Sequence, residues 1–425
     1  MYRNFVFSIL AVLGLFAVRG VAAVLPNENI VYSSFVKTVQ LHKEGDELSL
    51  PLIQLNSSER LELSFDDLDG DIKRYRYTIL HCGADWSTSA DLTPLEYIDG
   101  YREENIDQSA YSYNTTVKYT HFTAYFPTAS MRPRISGNYM LIVYLDDPAD
   151  VVFTWRFMVV ENSYVAIDGK VVQSSRIEDR LTKQQVDFVV KLNGLRVLDV
   201  GREIRVVVQQ NGRWDNALLL TRPRFARADE LDYRYDENIV FGGGNQFRWF
   251  DTKSLLYQSE RIAHISYDTN YHVNLVEDIL RTYKQYTYEK DLNGRFFIKN
   301  EEHAENSTIE ADYCWVHFFM PWPQLLTIGQ FYVLGELTRW RLDKESQMSY
   351  DFNRRGYVLN LFLKQGYFDY MIVFRENGKS AGNEAFVEGA HWETENEYNI
   401  YLYYHETGSS YDRLMVSTTL TGILK

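Results

Sequence analysis

The chain has 425 residues, 45% hydrophobic and 24% charged, with a formal net charge of −14. That composition excludes a disordered chain and allows two or three domains with ordinary cores. The acidic balance excludes nucleic acid as a partner, since phosphates would be repelled, and offers nothing to anionic lipid.

The first 23 residues read as a signal peptide. Arg3 precedes an apolar run over 5–18, and Val21 and Ala23 stand where a signal peptidase reads before Val24. Such a run is short for a bilayer span and right for an export signal. Arg19 sits awkwardly between the apolar core and the cleavage site. Cleavage removes Arg3 and Arg19 and no acidic residue, taking the formal charge from −14 to −16. No later segment is apolar enough to span, so the expectation is an exported protein without direct membrane insertion.

Short alternating segments follow, each of strand length. The first group is 60–65 (RLELSF), 139–145 (YMLIVYL) and 151–160 (VVFTWRFMVV), and the next is 204–210 (IRVVVQQ). Then come 295–299 (RFFIK), 315–319 (WVHFF), 357–363 (YVLNLFL) and 398–405 (YNIYLYYH). Turn dipeptides punctuate them, with Asn-Gly at 193, 211, 293 and 377 and Asp-Gly at 69, 99 and 168. The 32 Tyr and 24 Phe suit pleated, half-buried surfaces. The predicted fold is all-β, a tandem of β-sandwich domains of immunoglobulin-like or early-set type. Polar stretches at 161–167 and 299–309 suggest boundaries, dividing the mature chain into 24–162, 163–303 and 304–425.

The acidic run Asp66, Asp67, Asp69 and Asp71 invites comparison with a calcium loop. However, in a loop beginning at Asp67 the sixth and twelfth positions hold Ile72 and Thr78 instead of Gly and Glu, so an acidic hairpin turn is expected. Gly242-Gly243-Gly244-Asn245 lacks the Lys-Ser/Thr of a phosphate loop and reads as a flexible turn. Cys314 and His317, three apart on a strand, face opposite ways and cannot share a metal. Cys82 and Cys314 are expected as free buried thiols, although export would permit a disulfide. No H-E-x-x-H or G-x-S-x-G pattern occurs, so the expectation is a non-enzymatic protein with no catalytic residue, metal or cofactor.

Two aromatic constellations remain. Gly335-x-Leu337-x-x-Trp340, followed by a strand ending in Gly366-Tyr367-x-x-Tyr370, resembles the early-set sandwich of glycogen- and starch-binding modules. That resemblance implies a carbohydrate-binding alternative in which Trp340 and Tyr370 stack on sugar rings.

Residues 61–77 (LELSFDDLDGDIKRYRY) lead into 78–86 (TILHCGADW); RWDNA follows at 213–217 and FRWFD at 247–251. Together with 288–296 (YEKDLNGRF), 363–370 (LKQGYFDY) and 388–398 (EGAHWETENEY), this series resembles the plug protein family of the Bacteroidetes type IX secretion system. The matches run in order over nearly the whole mature chain, with residues 24–162 corresponding to the family's first domain. The resemblance implies a periplasmic protein, a monomer when free, peripheral to the inner face of the outer membrane. Its partner would be the outer-membrane translocon barrel, whose pore it would seal from the periplasmic mouth. Asp66, Asp67, Asp69, Asp71, Asp85, Trp86, Arg248 and Trp249 are the residues expected to contact that partner.

Overall fold

Gly137–Leu145, the apolar run expected as a strand, pairs antiparallel with Tyr75–Cys82 on one side and Val151–Val160 on the other. In the computed structural model, which describes residues 26–422, these strands centre a sheet that also takes in Ile30–Val31, Leu52–Gln54 and Glu104–Asn105. The signal-peptide reading lies outside the described residues. A second sheet, Val36–Lys43, Leu61–Asp67, Thr120–Phe126 and Gln108–Tyr111, covers the first. Phe65 stacks on Phe122 at 5.2 Å and meets Phe153 across the layer at 5.1 Å. The all-β expectation therefore holds, and period-2 alternation sets which face is buried.

The sheet centred on Gly137–Leu145 is buried on its other face too. Met140, Met158 and Val160 pack there against Val207, Tyr401, Tyr403 and Leu414. Tyr403 donates its hydroxyl proton to Asn138 Oδ1 at 2.7 Å, and Arg413 pairs with Glu161 at 2.8 Å. Two sandwiches thus share a sheet-on-sheet contact with a buried, mainly apolar centre.

The remaining strands are not divided between 163–303 and 304–425. The second core joins Val186, Phe188, Val206 and Val208 to Tyr398, Ile400, Leu402 and Met415. Its sheets are Ala166–Gln173, Lys183–Lys191, Phe225–Arg227, Glu230–Asp232 and Val240–Gly242 on one side, and Leu218–Leu220, Ile204–Gln210, Glu397–Tyr404 and Arg413–Thr421 on the other. The last two strands therefore return to the middle sandwich, because Glu397–Tyr404 pairs with Ile204–Gln210. The third core, with Phe250, Phe318, Phe331, Phe368 and Tyr370, is built from the chain between. It is an insertion, and a polar loop at 299–309 lies inside it instead of marking a boundary.

Chain enters and leaves that insertion at one neck. His391 N donates to Gly244 O at 2.8 Å, Asn396 Nδ2 to Gly243 O at 2.9 Å, and Asn245 Nδ2 to Glu388 O at 2.8 Å. The glycine run is thus held in place and is not a free turn. A Cβ on Gly243 would lie 2.1 Å from His391 O, so only glycine admits the second crossing. Gly243→Ala is expected to cost about 1–3 kcal/mol, read as a lower denaturant midpoint, whereas the same change at solvent-open Gly242 should cost much less. Equal effects would mean that the close approach does not matter.

Turn chemistry follows the sequence. Both residues take positive φ at Asn193-Gly194, Asn211-Gly212 and Asn293-Gly294. Cys82 and Cys314 are unpaired and fully buried, as expected. Burial pushes the Cys82 thiol up to about 12.

Candidate functional site

The acidic hairpin splits into two groups. Asp66 and Asp67 point inward from the strand Leu61–Asp67 and are 0% exposed. Asp66 Oδ2 lies 2.6 Å from Lys364 Nζ and accepts from Tyr313 OH at 2.7 Å, while His121 Nδ1 sits 2.7 Å from Oδ1. Lys364 and Tyr313 belong to the inserted sandwich. Burial alone would raise the Asp66 carboxyl, but Lys364 and His121 outweigh it and hold it below the usual range. Asp66 is therefore an internal latch between the first and third sandwiches, not a partner contact. Asp67 accepts from Tyr75 OH at 2.8 Å and pairs with Lys73 at 2.9 Å. The Lys73 ammonium also reaches Asp69, and Asp71 at 3.6 Å, so a side-chain cation fills this carboxylate cluster. Only Asp69 and Asp71 face solvent.

The other expected contact residues separate in the same way. Asp85 is exposed and accepts from Ser87 N at 2.9 Å, closing a turn in which Trp86 takes φ +65° and turns inward to 6% exposure. Arg248 is buried, with Nε 2.9 Å from Glu388 Oε1 and Nη1 3.0 Å from Asp278 Oδ1. Arg281 joins Glu388 at 2.6 Å and Arg261 joins Asp278 at 3.1 Å, completing a network inside the third sandwich. Trp249 is half-buried, donating to Glu289 Oε1 at 2.7 Å and stacking on Tyr367 at 5.5 Å, with Phe297 next in the row.

The sugar platform does not form. Tyr370 is 0% exposed, its hydroxyl 2.9 Å from Asp278 Oδ1 in the network just described. Trp340 is half-buried elsewhere, edge-on to Phe247 and capped by the Arg213 guanidinium 4.9 Å from its ring. One ring fills core and the other packs beneath an arginine, because in a sandwich this aromatic-rich the large rings are needed for packing.

Trp340 does line a cleft of about 450 Å³ where all three sandwiches meet. Trp86 and Arg156 come from the first, Gln209, Arg213 and Trp214 from the middle, and Arg339 and Trp340 from the third. Trp86 and Trp214 meet edge-on at 4.9 Å, and the Arg156 guanidinium lies 4.5 Å from the Trp86 ring and 5.5 Å from that of Trp214. Arg295 Nη2 donates to Glu397 Oε1 at 2.8 Å and its Nη1 to Leu48 O at 2.9 Å, bracing the same junction. The sequence reading did not single out Arg156. Its signal is a lone charge in the otherwise apolar segment 151–160, which a strand buried on both faces tolerates only with a purpose.

The exposed aromatics lie elsewhere. Tyr101, Tyr111 and Tyr113 of the first sandwich are 71%, 58% and 63% exposed. They sit on chain that runs from Ile98–Gly100 through Glu104–Asn105, on the rim of one sheet, to Gln108–Tyr111 on the rim of the other. This stretch closes one open side of the sandwich and presents it to solvent.

The model of the type 9 secretion system plug protein 1st domain matches residues 36–161. A crystal structure of a hypothetical protein from Parabacteroides merdae is similar from end to end, with a TM-score of 0.90 and 34% identity over 94% of this chain and 100% of that one. The major pilin subunit of Bacillus cereus aligns over 50% of this chain and 60% of its own at 9% identity, but a TM-score of 0.14 carries no argument. No curated protein matches the chain.

Proposed function

Since the chain belongs to the type 9 secretion system plug protein family, we propose that it docks on the periplasmic mouth of the outer-membrane translocon barrel and seals its pore. The observation that carries this reading is the family match over the first sandwich, set in a chain that aligns throughout with its relative. A stopper needs stiffness more than chemistry. Three sandwiches braced by buried apolar contacts and buried ion pairs resist deformation, and the role asks for no catalytic step. Among the described residues no helix is long and apolar enough to cross a membrane.

The docking surface we propose is the tyrosine-bearing side of the first sandwich, with the exposed acids Asp69, Asp71 and Asp85 as secondary contacts. Exposed tyrosines supply broad apolar area and a hydroxyl at little entropic cost, which suits a reversible protein contact. The acidic surface would speed approach to a basic rim.

A tagged chain is expected to copurify a large outer-membrane barrel, and its deletion to raise permeability to molecules normally excluded. Tyr101→Ala, Tyr111→Ala and Tyr113→Ala together should weaken capture by about tenfold or more with no change in melting temperature. If no barrel copurifies and permeability is unchanged, the plug reading falls. If the barrel copurifies equally with the triple variant, the role survives and the surface is wrong.

A further inference from the structure

We propose that the cleft between the three sandwiches binds a small carboxylate-bearing ligand, gripped by Arg156 beside the Trp86 and Trp214 rings. Neither the family membership nor the docking reading assigns it.

The first ground is an unanswered charge. Among the described residues Arg156 forms no ion pair; its Nε donates to Asn27 O at 2.8 Å, and the outer edge of its guanidinium has no protein acceptor. The carboxylates nearby are taken. Glu28 and Asp343 pair with Arg341, and Asp215 and Glu384 pair with Arg213. Glu47 and Glu336 also line the cleft, where burial raises the carboxyl of Glu47 against the pull of His42 and that of Glu336 against the pull of Arg295. Burial pulls the Arg156 guanidinium down to about 10 against the pull of Glu28, the mark of a desolvated cation.

The second ground is independent of charge. Trp86 Nε1, Gln209 Nε2 and Arg339 Nε are buried donors with no hydrogen-bond partner, and all three residues line this cleft. Asn216 Oδ1 is an unpartnered acceptor there. Trp86 and Gln209 are 6% and 1% exposed, so their groups are costly to leave unmet. Arg156, Trp86, Trp214 and Tyr401 touch in sequence, and Tyr401 OH donates to Gln209 Oε1 at 3.0 Å, so these groups form one wall. A cation beside surplus N–H donors describes a receptor for an anionic, acceptor-rich group, and the planar guanidinium fork matches a carboxylate.

Size and field select a small ligand. A cleft of about 450 Å³ lies in the range of small-molecule sites. A net charge of −14 repels an acidic macromolecule over its whole length, whereas a monocarboxylate meets that field with a single charge. Aromatic walls add contact area for a short apolar body.

The test is titration calorimetry and thermal shift on the full chain with benzoate and succinate, using benzamide and succinamide as neutral isosteres. Benzoate or succinate should bind saturably and raise the melting temperature, and the amides should not. Arg156→Lys keeps the charge and loses the fork, so its affinity should fall by about tenfold. Arg156→Met should abolish the response, and the exposed control Arg227→Met should leave it intact. Equal responses to acid and amide, an unchanged response in Arg156→Lys, or binding of an acidic peptide without binding of either small acid would each overturn the proposal.

Discussion

Asp66→Asn is expected to destabilise the protein by about 3–5 kcal/mol, the cost of leaving a buried charge without its partner. Lys364 Nζ would face a neutral amide in place of the carboxylate, with Thr308 O at 2.7 Å and the face of Tyr119, 4.2 Å from the ring centre, as its other contacts. The ammonium is 2% exposed and cannot reach water. The reverse change, Lys364→Met, should cost less, because Asp66 keeps its hydrogen bonds to the Tyr313 hydroxyl and to His121 Nδ1. The double variant should recover much of the loss, since with both charges removed neither is left buried without its partner. Denaturant midpoints of the four proteins measure this, and additive single effects would show that the pair is not coupled. The latch also has a local readout. Thr116 N and Val117 N donate to Asp312 at 2.7 and 3.0 Å across the same contact, so their amide exchange should accelerate in Asp66→Asn before the rest of either sandwich opens.

Arg248→Met should cost about 3 kcal/mol, at the low end for a broken buried pair, because Arg281 and Arg261 remain to hold Glu388 and Asp278. Its pH signature separates it from simple loss of packing. Burial would raise the Glu388 carboxyl, but Arg248 and Arg281 override it and bring it from 4.5 down to about 2. The unfolded chain therefore binds the proton more readily between those values. The stabilisation, about 3 kcal/mol, is complete above pH 4.5 and is lost as the pH falls toward 2. Asp278 acts in the opposite sense, since burial raises its carboxyl against the pull of Arg248 and Arg261. Glu388→Gln consequently isolates the acid limb, and in Arg248→Met that limb should become shallower. An unchanged acid limb in both variants would show that this network does not set acid stability.

Asp66 and Arg248 are both residues that the sequence marked as partner contacts. Asp66 and Asp67 stand in an acidic run next to an Asp-Gly turn, which locally describes a solvated hairpin. What reverses the reading for Asp66 is Lys364, some three hundred positions away, and nothing local to the hairpin announces it. Asp69 and Asp71, beyond the strand end, do behave as the local pattern says. Arg248 follows the same logic, since its partner Glu388 comes from a different motif of the family series. The motifs quoted for the resemblance were scattered in the chain, yet Arg248 with Glu388, Arg295 with Glu397, and Trp86 with Trp214 show several of them meeting in space. The cleft was invisible for that reason, because its walls are drawn from three separate sandwiches.

By itself the sequence determined the all-β class, the Asn-Gly turns, the buried free thiols and, through ordered motifs, the family. These depend on period-2 alternation, on backbone preferences of single residues and on side-chain size, which act over a few positions. Only the tertiary structure decided that Glu397–Tyr404 and Arg413–Thr421 complete the middle sandwich, that residues between Gly243 and His391 form an insertion, and which charges are latches. A strand's alternation fixes which of its faces is buried but not which distant strand it pairs with. That choice is made by register, by the neck that only Gly243 permits, and by the cost of burying a charge unpaired.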